Sequence, residues 1–263
     1  MTSDGPAATT LVVPPAALAG ETFRLEGDAY HHLVRVKRLE VGDALRMTDG
    51  ADRARYADLT SISKQNALAR LGDEAPTNEP TLHVEIWTAP PKPERASWLV
   101  EKATEVGVAA IRFLPTERAA RTFAAPQLDR LTRVAVAAVE QCGRARVPAI
   151  ATEESLATAL ERRLGHSETR IIALDASGTN PFSGAFASSF LFSFSSSSAG
   201  TTEPPQAVDV ALLIGPEGGW TDAERARFAA AGAEVWSLGE RALRVETAAI
   251  VAAGLVLAGG GRR

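Results

Sequence analysis

Hydrophobic and polar positions change their rhythm near residue 80. Between Phe23 and Gly72, apolar residues alternate with polar ones over short runs: Phe23–Leu25, Ala44–Thr48, Arg55–Ile62 and Ala67–Leu71, with Asp49-Gly50 closing the second. Alternation at period two over such lengths predicts half-buried strands of a small barrel or sandwich. One helical stretch, Asp28 to Arg38, intrudes among them. Residues 1–10 predict a poorly structured start ahead of a strand at Leu11-Val12-Val13, and Gly72 to Pro80, with Pro76, Asn78 and Pro80, predicts a linker.

Beyond the linker the period lengthens. Strands are predicted at Thr81–Ala89, Ala110–Leu114, Ile171–Leu174 and Val210–Ile214, and helices at Glu94–Val106, Gln127–Cys142 and Ser155–Leu164. In the first helix Trp98, Leu99, Ala103 and Val106 are expected on one side. Strands alternating with helices of this length imply a parallel sheet covered on both faces, hence an α/β domain. The Ser-rich stretch 187–206, with Pro204-Pro205, predicts a low-complexity loop, since polar sequence gains too little by burial to offset its ordering entropy. Phe190, Phe192 and Phe194 alternate within it, which suits an extended edge or a docked segment, and the sequence leaves that open. The last helix, Glu246–Leu257, is apolar nearly all round, a pattern that predicts burial.

Two stretches share a design. Val210–Ile214 empties into Gly215-Pro216-Glu217-Gly218-Gly219-Trp220, and the run Leu238-Gly239-Glu240-Arg241-Ala242-Leu243-Arg244-Val245-Glu246-Thr247 leads into the last helix. Each is an apolar strand, a glycine-bearing turn and a helix start, where bare backbone and unpaired N–H groups can meet a ligand. Thr221-Asp222-Ala223-Glu224 fits a capping box, so a helix starts there and runs to Gly232. Separated by one helix and one strand, the two turns are placed to line one pocket. Ordinary strand-to-helix punctuation explains any one of these glycines; their combination with Arg241, Arg244, Glu246 and Thr247 points to a site. No lysine follows Gly219, which excludes a P-loop, and the glycine spacing does not match a dinucleotide fingerprint.

Charge refines the picture. The 263 residues carry 28 basic and 32 acidic side chains, a net charge of −4, which does not suggest a generally basic nucleic-acid binder. Phosphate, however, is bound by a local patch, and Asp28–Arg38 concentrates His31, His32, Arg35, Lys37 and Arg38. Adjacent histidines face different ways on a helix, and no Cys, His or Asp cluster at ligand spacing accompanies them, so no metal is expected. That stretch is either a solvated cationic face with one histidine packed inside or a phosphate-contact surface. The single cysteine, Cys142, cannot form an internal disulfide, which suits a reduced compartment; it is expected to pack in the core, with a reactive thiol as the lesser alternative. No signal peptide and no membrane-spanning run are visible, which leads to the expectation of a soluble, cytoplasmic protein.

Leu-Leu-Ile-Gly-Pro-Glu-Gly-Gly at 212–219, with Leu-Gly-x-Arg-x-Leu-Arg-x-Glu-Thr at 238–247, closely resembles the RsmE family. Glu101 to Val108, Thr116-Glu117-Arg118 and Glu140 to Pro148 are similar to it as well. The resemblance implies an S-adenosylmethionine-dependent methyltransferase of the knotted SPOUT class that methylates N3 of a uridine in 16S ribosomal RNA of the small subunit. It implies a PUA-like RNA-binding β-barrel domain, placed at 1–75, and a SPOUT domain at 76–263 whose parallel sheet carries a trefoil knot. It also implies a homodimer in which the last helix takes part.

The same resemblance assigns roles by position. S-adenosylmethionine is expected against Leu174, Ile214, Gly215, Pro216, Glu217, Gly218, Leu238, Gly239, Leu243, Arg244 and Thr247. Arg244 is a candidate to stabilise negative charge on the uracil, and Glu217 or Glu246 to accept the N3 proton. Glu246 has a second reading, in which it pairs with an arginine and fixes the helix start. His31, Arg35, Lys37 and Arg38 are expected to contact RNA, with Arg118, Arg144 and Arg146 extending that basic face; the plainer reading of these last arginines is exposed solubilising charge.

Overall fold

The computed structural model describes residues 9–119, 121–164, 169–181 and 209–259. The stretch 187–206, expected to be a loop, therefore lies outside the described residues, as does the start of the chain. The chain divides into two compact units, Met1–Glu79 with Val136–Val147, and Pro80–Ala135 with Pro148–Arg263.

In the first unit a five-stranded sheet has the order β1-β3-β4-β5-β2. Its strands are β1 (Thr9–Val12), β2 (Thr22–Leu25), β3 (Ala44–Thr48), β4 (Ala54–Ile62) and β5 (Ala67–Glu74). β1 runs parallel to β3, and the remaining pairs are antiparallel. The alternation read in the sequence sends Leu45 and Met47, Ala57 and Leu59, and Ala67, Ala69 and Leu71 into one core cluster. The intruding helical stretch is α1 (Gly27–Tyr30) continued by a π-helical His31–Val36, where the Lys37 amide reaches back to the His32 carbonyl at 2.9 Å. Tyr30 and Leu33 are its buried residues. His31 and His32 are both exposed, so neither histidine packs inside as one reading had it.

Residues 136–147 complete this unit from a distant part of the chain. Glu140 accepts from the Val12 amide at 3.1 Å, the Thr48 hydroxyl donates to the Ala145 carbonyl at 2.7 Å, and Ala51 bridges Arg146 in antiparallel sense. Cys142 is exposed, contrary to the core role expected of it. It stands near the end of a helix whose buried positions, Ala135, Ala138 and Val139, lie on another side.

The second unit is built on a six-stranded sheet of order β11-β9-β10-β6-β7-β8, parallel throughout. The strands are β6 (His83–Thr88), β7 (Ala110–Phe113), β8 (Ala149–Thr152), β9 (Arg170–Thr179), β10 (Asp209–Ile214) and β11 (Glu234–Trp236). The helices are α2 (Pro93–Val106), α3 (Ala125–Cys142), whose residues from Val136 on count with the first unit, α4 (Leu156–Leu164), α5 (Asp222–Ala230) and α6 (Val245–Gly259). Ala211 and Leu213 of β10 pack with Trp87, Ile171 and Ala173 against Leu156, Leu160 and Phe228. Across the sheet, α6 lies on β6 and β10 and against α2. Both faces of the central strands are thus covered, as continuous apolar runs require.

Two burial expectations are corrected. Trp98 is 43% exposed, because the side of α2 that packs is defined by Leu99, Val100 and Ala103, each fully buried. The last helix is buried along one stripe, Val245, Glu246, Ala249, Ala252, Ala253 and Val256, while Val251 remains 41% exposed. One layer of neighbours covers one stripe of a helix, however apolar the rest is.

Candidate active site

The site lies at the carboxyl ends of β6, β9 and β10, where an open parallel sheet leaves room for ligands. β10 ends at Ile214, and the chain turns through Gly215–Gly219, closed by the Gly219 amide on the Pro216 carbonyl at 2.8 Å. Gly219 has φ +68°, a left-handed conformation that side chains disfavour. Gly215 is needed for space instead: a Cβ there would stand 3.0 Å from the Trp220 indole. That indole is buried, donates to the Leu174 carbonyl at 2.9 Å, and meets Phe228 edge-on at 4.7 Å between centroids. Thr221 and Glu224 form the expected capping box of α5.

A first cavity of about 270 Å³ gathers most of the residues expected to hold a cofactor: Leu174, Ile214, Gly215, Pro216, Glu217, Leu238, Gly239 and Leu243. Its remaining lining includes residues the sequence did not single out: Asp175, Ser237 and Arg225, and the indoles of Trp220 and Trp236. Asp175 and Arg225 form an ion pair at 2.9 Å. Burial pushes the Asp175 carboxyl up, but the Ser177 hydroxyl and amide together with Arg225 outweigh it and hold the group below its ordinary range. The available signals were position alone, Asp175 following Leu174 at a strand end and Arg225 standing one turn into the helix after the glycine turn.

A second cavity, of about 440 Å³, shares Pro216, Glu217 and Val245 with the first. It is otherwise lined by Ala89 to Lys92 after β6, by Arg118, Ala119 and Arg121 after β7, and by Gly218 and Glu246. Three cations and two carboxylates therefore border it. Arg118 donates through Nη1 to the Gly218 carbonyl. Glu246, only 6% exposed, pairs with Nη1 of Arg95, which matches the second of its two sequence readings.

Not every expected residue is brought in. Gly218 borders the second cavity rather than the first, and neither Arg244 nor Thr247 lines either one. Arg244 is exposed and occupies the N-cap position of α6, its carbonyl accepting from the Ala248 amide at 2.8 Å. In the first unit, His31, Arg35, Lys37 and Arg38 are exposed, with Arg35 set over the Tyr30 ring at 5.9 Å. Arg144 and Arg146 do not present free cations. Arg144 is buried and donates twice to Glu79, from Nε at 3.1 Å and from Nη2 at 2.6 Å, while Arg146 donates through Nε to Asp52 at 2.7 Å and also pairs with it through Nη2. Each of these two, expected to bind phosphate, already has a carboxylate that fits its guanidinium fork.

Among the described residues no group of three or more His, Cys, Asp or Glu side chains stands ready to hold a metal ion, and no helix is long and apolar enough to cross a membrane.

Comparison with known proteins places this geometry. Residues 77–257 match the family described as RNA methyltransferase domain, and residues 25–72 match the RNA methyltransferase PUA domain. Ribosomal RNA small subunit methyltransferase E of Synechocystis sp. is 31% identical over 242 residues, spanning 92% of this chain and 75% of the relative. The Bacillus subtilis protein of the same name is 28% identical over 238 residues, with 88% of each chain covered. The crystal structure of ribosomal RNA small subunit methyltransferase E from Neisseria gonorrhoeae bound to S-adenosyl methionine superposes with a TM-score of 0.75 at 25% identity, covering 95% of this chain and 97% of that one. The parallel sheet with its two glycine turns, following a small PUA-like β-domain in the sequence, is therefore the framework of a known kind of enzyme, and the chain belongs to the ribosomal RNA small subunit methyltransferase E family.

Proposed function

We propose that this chain binds S-adenosylmethionine in the first cavity and transfers its methyl group to N3 of a uridine of 16S ribosomal RNA held in the second. The observation that carries this reading is the pairing of the two cavities across Pro216, Glu217 and Val245. One is floored by glycine turns and indoles; the other is bordered by Lys92, Arg118 and Arg121.

The first cavity suits the cofactor chemically. The Trp220 and Trp236 rings and the Leu174, Leu238 and Leu243 side chains offer apolar walls for a base, and the bare backbone at Gly215 and Gly239 permits close approach. Asp175 and Arg225 supply opposite charges for a zwitterionic tail. When bound, the sulfonium supplies an activated methyl group.

The chain's own task is to orient the base and manage its proton. Lys92, Arg118 and Arg121 hold phosphate and the charge that develops on a deprotonated uracil. Glu217, exposed between the cavities, takes the N3 proton in this reading; Glu246 holds the arginine it already pairs with. Arg244, flanked by Leu243 of the first cavity and Val245 of both, joins the anion-stabilising set once RNA is present. The PUA-like unit carries RNA on Arg35, Lys37 and Arg38. A trefoil knot and a homodimer that covers the exposed side of α6 complete the proposal. Light scattering that gives a monomer mass at micromolar concentration would reject the dimer.

The deciding experiment is nucleoside mass spectrometry of small-subunit RNA incubated with the protein and labelled S-adenosylmethionine. N3-methyluridine is the expected product; label on a ribose or on another base would sink the reading.

A further inference from the structure

A glutamate in a capping box needs only one carboxylate oxygen, to accept from the N-cap amide. Glu224 uses both. Its Oε2 accepts from the Thr221 amide at 2.9 Å, and its Oε1 accepts, also at 2.9 Å, from the backbone amide of Glu117. The Glu117 side chain closes the ring: Oε2 accepts from the Thr221 hydroxyl at 2.8 Å, and Oε1 accepts from Arg227 at 3.1 Å. Glu224 is 1% exposed. A carboxylate that far from water is costly unless its lone pairs are filled, and the Glu117 amide fills the oxygen that the helix leaves over.

What this side chain holds is the turn Thr116–Ala119, closed by reciprocal backbone bonds of 3.1 Å. Among the described residues the Thr116 hydroxyl is buried without a hydrogen-bond partner, which costs stability. A turn that leaves such a group unanswered is held in place from outside. Arg118, which it carries, borders the second cavity beside Arg121 and lies along Gly218.

We propose that Glu224 is a positioning residue for RNA: from the helix that the cofactor turn opens, it fixes the arginine-bearing turn at the height the substrate needs. This role rests on the reading of the second cavity as the RNA subsite.

Two variants separate positioning from capping. Glu224→Gln keeps the size and one accepting oxygen for Thr221, but sets an NH2 group against the Glu117 amide. Thr221→Ala removes the cap hydroxyl, and with it the bond to the Glu117 carboxylate, but leaves the bond from the Glu117 amide to Glu224 that the proposal relies on. Thermal midpoint, cofactor affinity, and KM and kcat for small-subunit RNA are to be measured for both, beside wild type and Arg121→Ala. Glu224→Gln should raise KM for RNA about tenfold with cofactor affinity changed less than about twofold, whereas Thr221→Ala should lower the midpoint at least as much with a smaller rise in KM. A KM that follows thermal stability alike in both variants overturns the proposal and leaves a helix cap. If Arg121→Ala raises KM and Glu224→Gln does not, the positioning role alone fails. If neither raises it, the reading of the second cavity fails and takes the proposal with it.

Discussion

Arg95, in the first turn of α2, and Glu246, in the first turn of α6, join the two helices by an ion pair beside the second cavity. The glutamate side chain is 8% exposed and the arginine 34%. The Glu246 carboxylate is thus already engaged by a guanidinium, whereas Glu217 is exposed at the partition of both cavities.

Glu217→Gln should therefore lower the single-turnover methylation rate by about 10²–10⁴-fold, the usual worth of a general base, and Glu246→Gln by much less. Arg95→Ala should instead cost stability, about 1–3 kcal/mol in urea unfolding, because it leaves a buried carboxylate unanswered. Equal kinetic losses in the two glutamate variants would contradict the assignment.

Arg244→Ala tests whether an N-cap arginine outside both cavities joins the reaction once RNA is bound. A transition-state role predicts a fall in single-turnover rate well beyond any fall in cofactor affinity or melting temperature. Near-normal turnover, or a loss matched by the loss of stability, would reject it.

The pair of Asp175 with Arg225 makes stability depend on pH in a defined direction. The folded carboxyl ionises below its ordinary value of about 3.9, so at low pH the unfolded chain binds the proton more readily. Its contribution is complete above the unfolded pKa and is lost as pH falls through the folded one. Asp175→Asn should lower the melting temperature near neutrality, and the difference from wild type should close on acidification below about pH 4. A constant difference across that range would show that the charge is irrelevant.

In the first unit, alanine at Arg35, Lys37 and Arg38 should weaken RNA binding and reduce the slope of log affinity against log salt by about 0.7 for each phosphate no longer neutralised. Arg144→Ala should leave that slope unchanged and lower the unfolding midpoint, since Arg144 serves Glu79. Measuring affinity between low and moderate salt for both variants decides the matter; a flattened slope for Arg144→Ala would restore it as a phosphate ligand.

The elements that carry the site were legible because local pattern fixes them. Val210–Ile214 has no polar residue to place outside, and Thr221 with Glu224 announces a helix start, so strand, turn and helix follow in register. Partners that meet only after folding were not legible. Nothing near Arg144 names Glu79, 65 positions away, and nothing near Asp175 names Arg225, 50 positions away. β8 escaped because Ala149–Thr152 is short and scarcely buried. Trp98 was misplaced because one hydrophobic side chain beside a packed stripe looks, in sequence, like part of it.

Glu140, Arg144 and Arg146 belong to the first unit although nearly half the chain separates them from its opening strand. The first unit is for that reason not a detachable module. A fragment ending in the linker would leave the Val12 amide, the Glu79 carboxylate and Asp52 without the groups that answer them. Recombination that swapped in an N-terminal segment from another protein would inherit the same deficit unless it brought matching partners for residues 136–147.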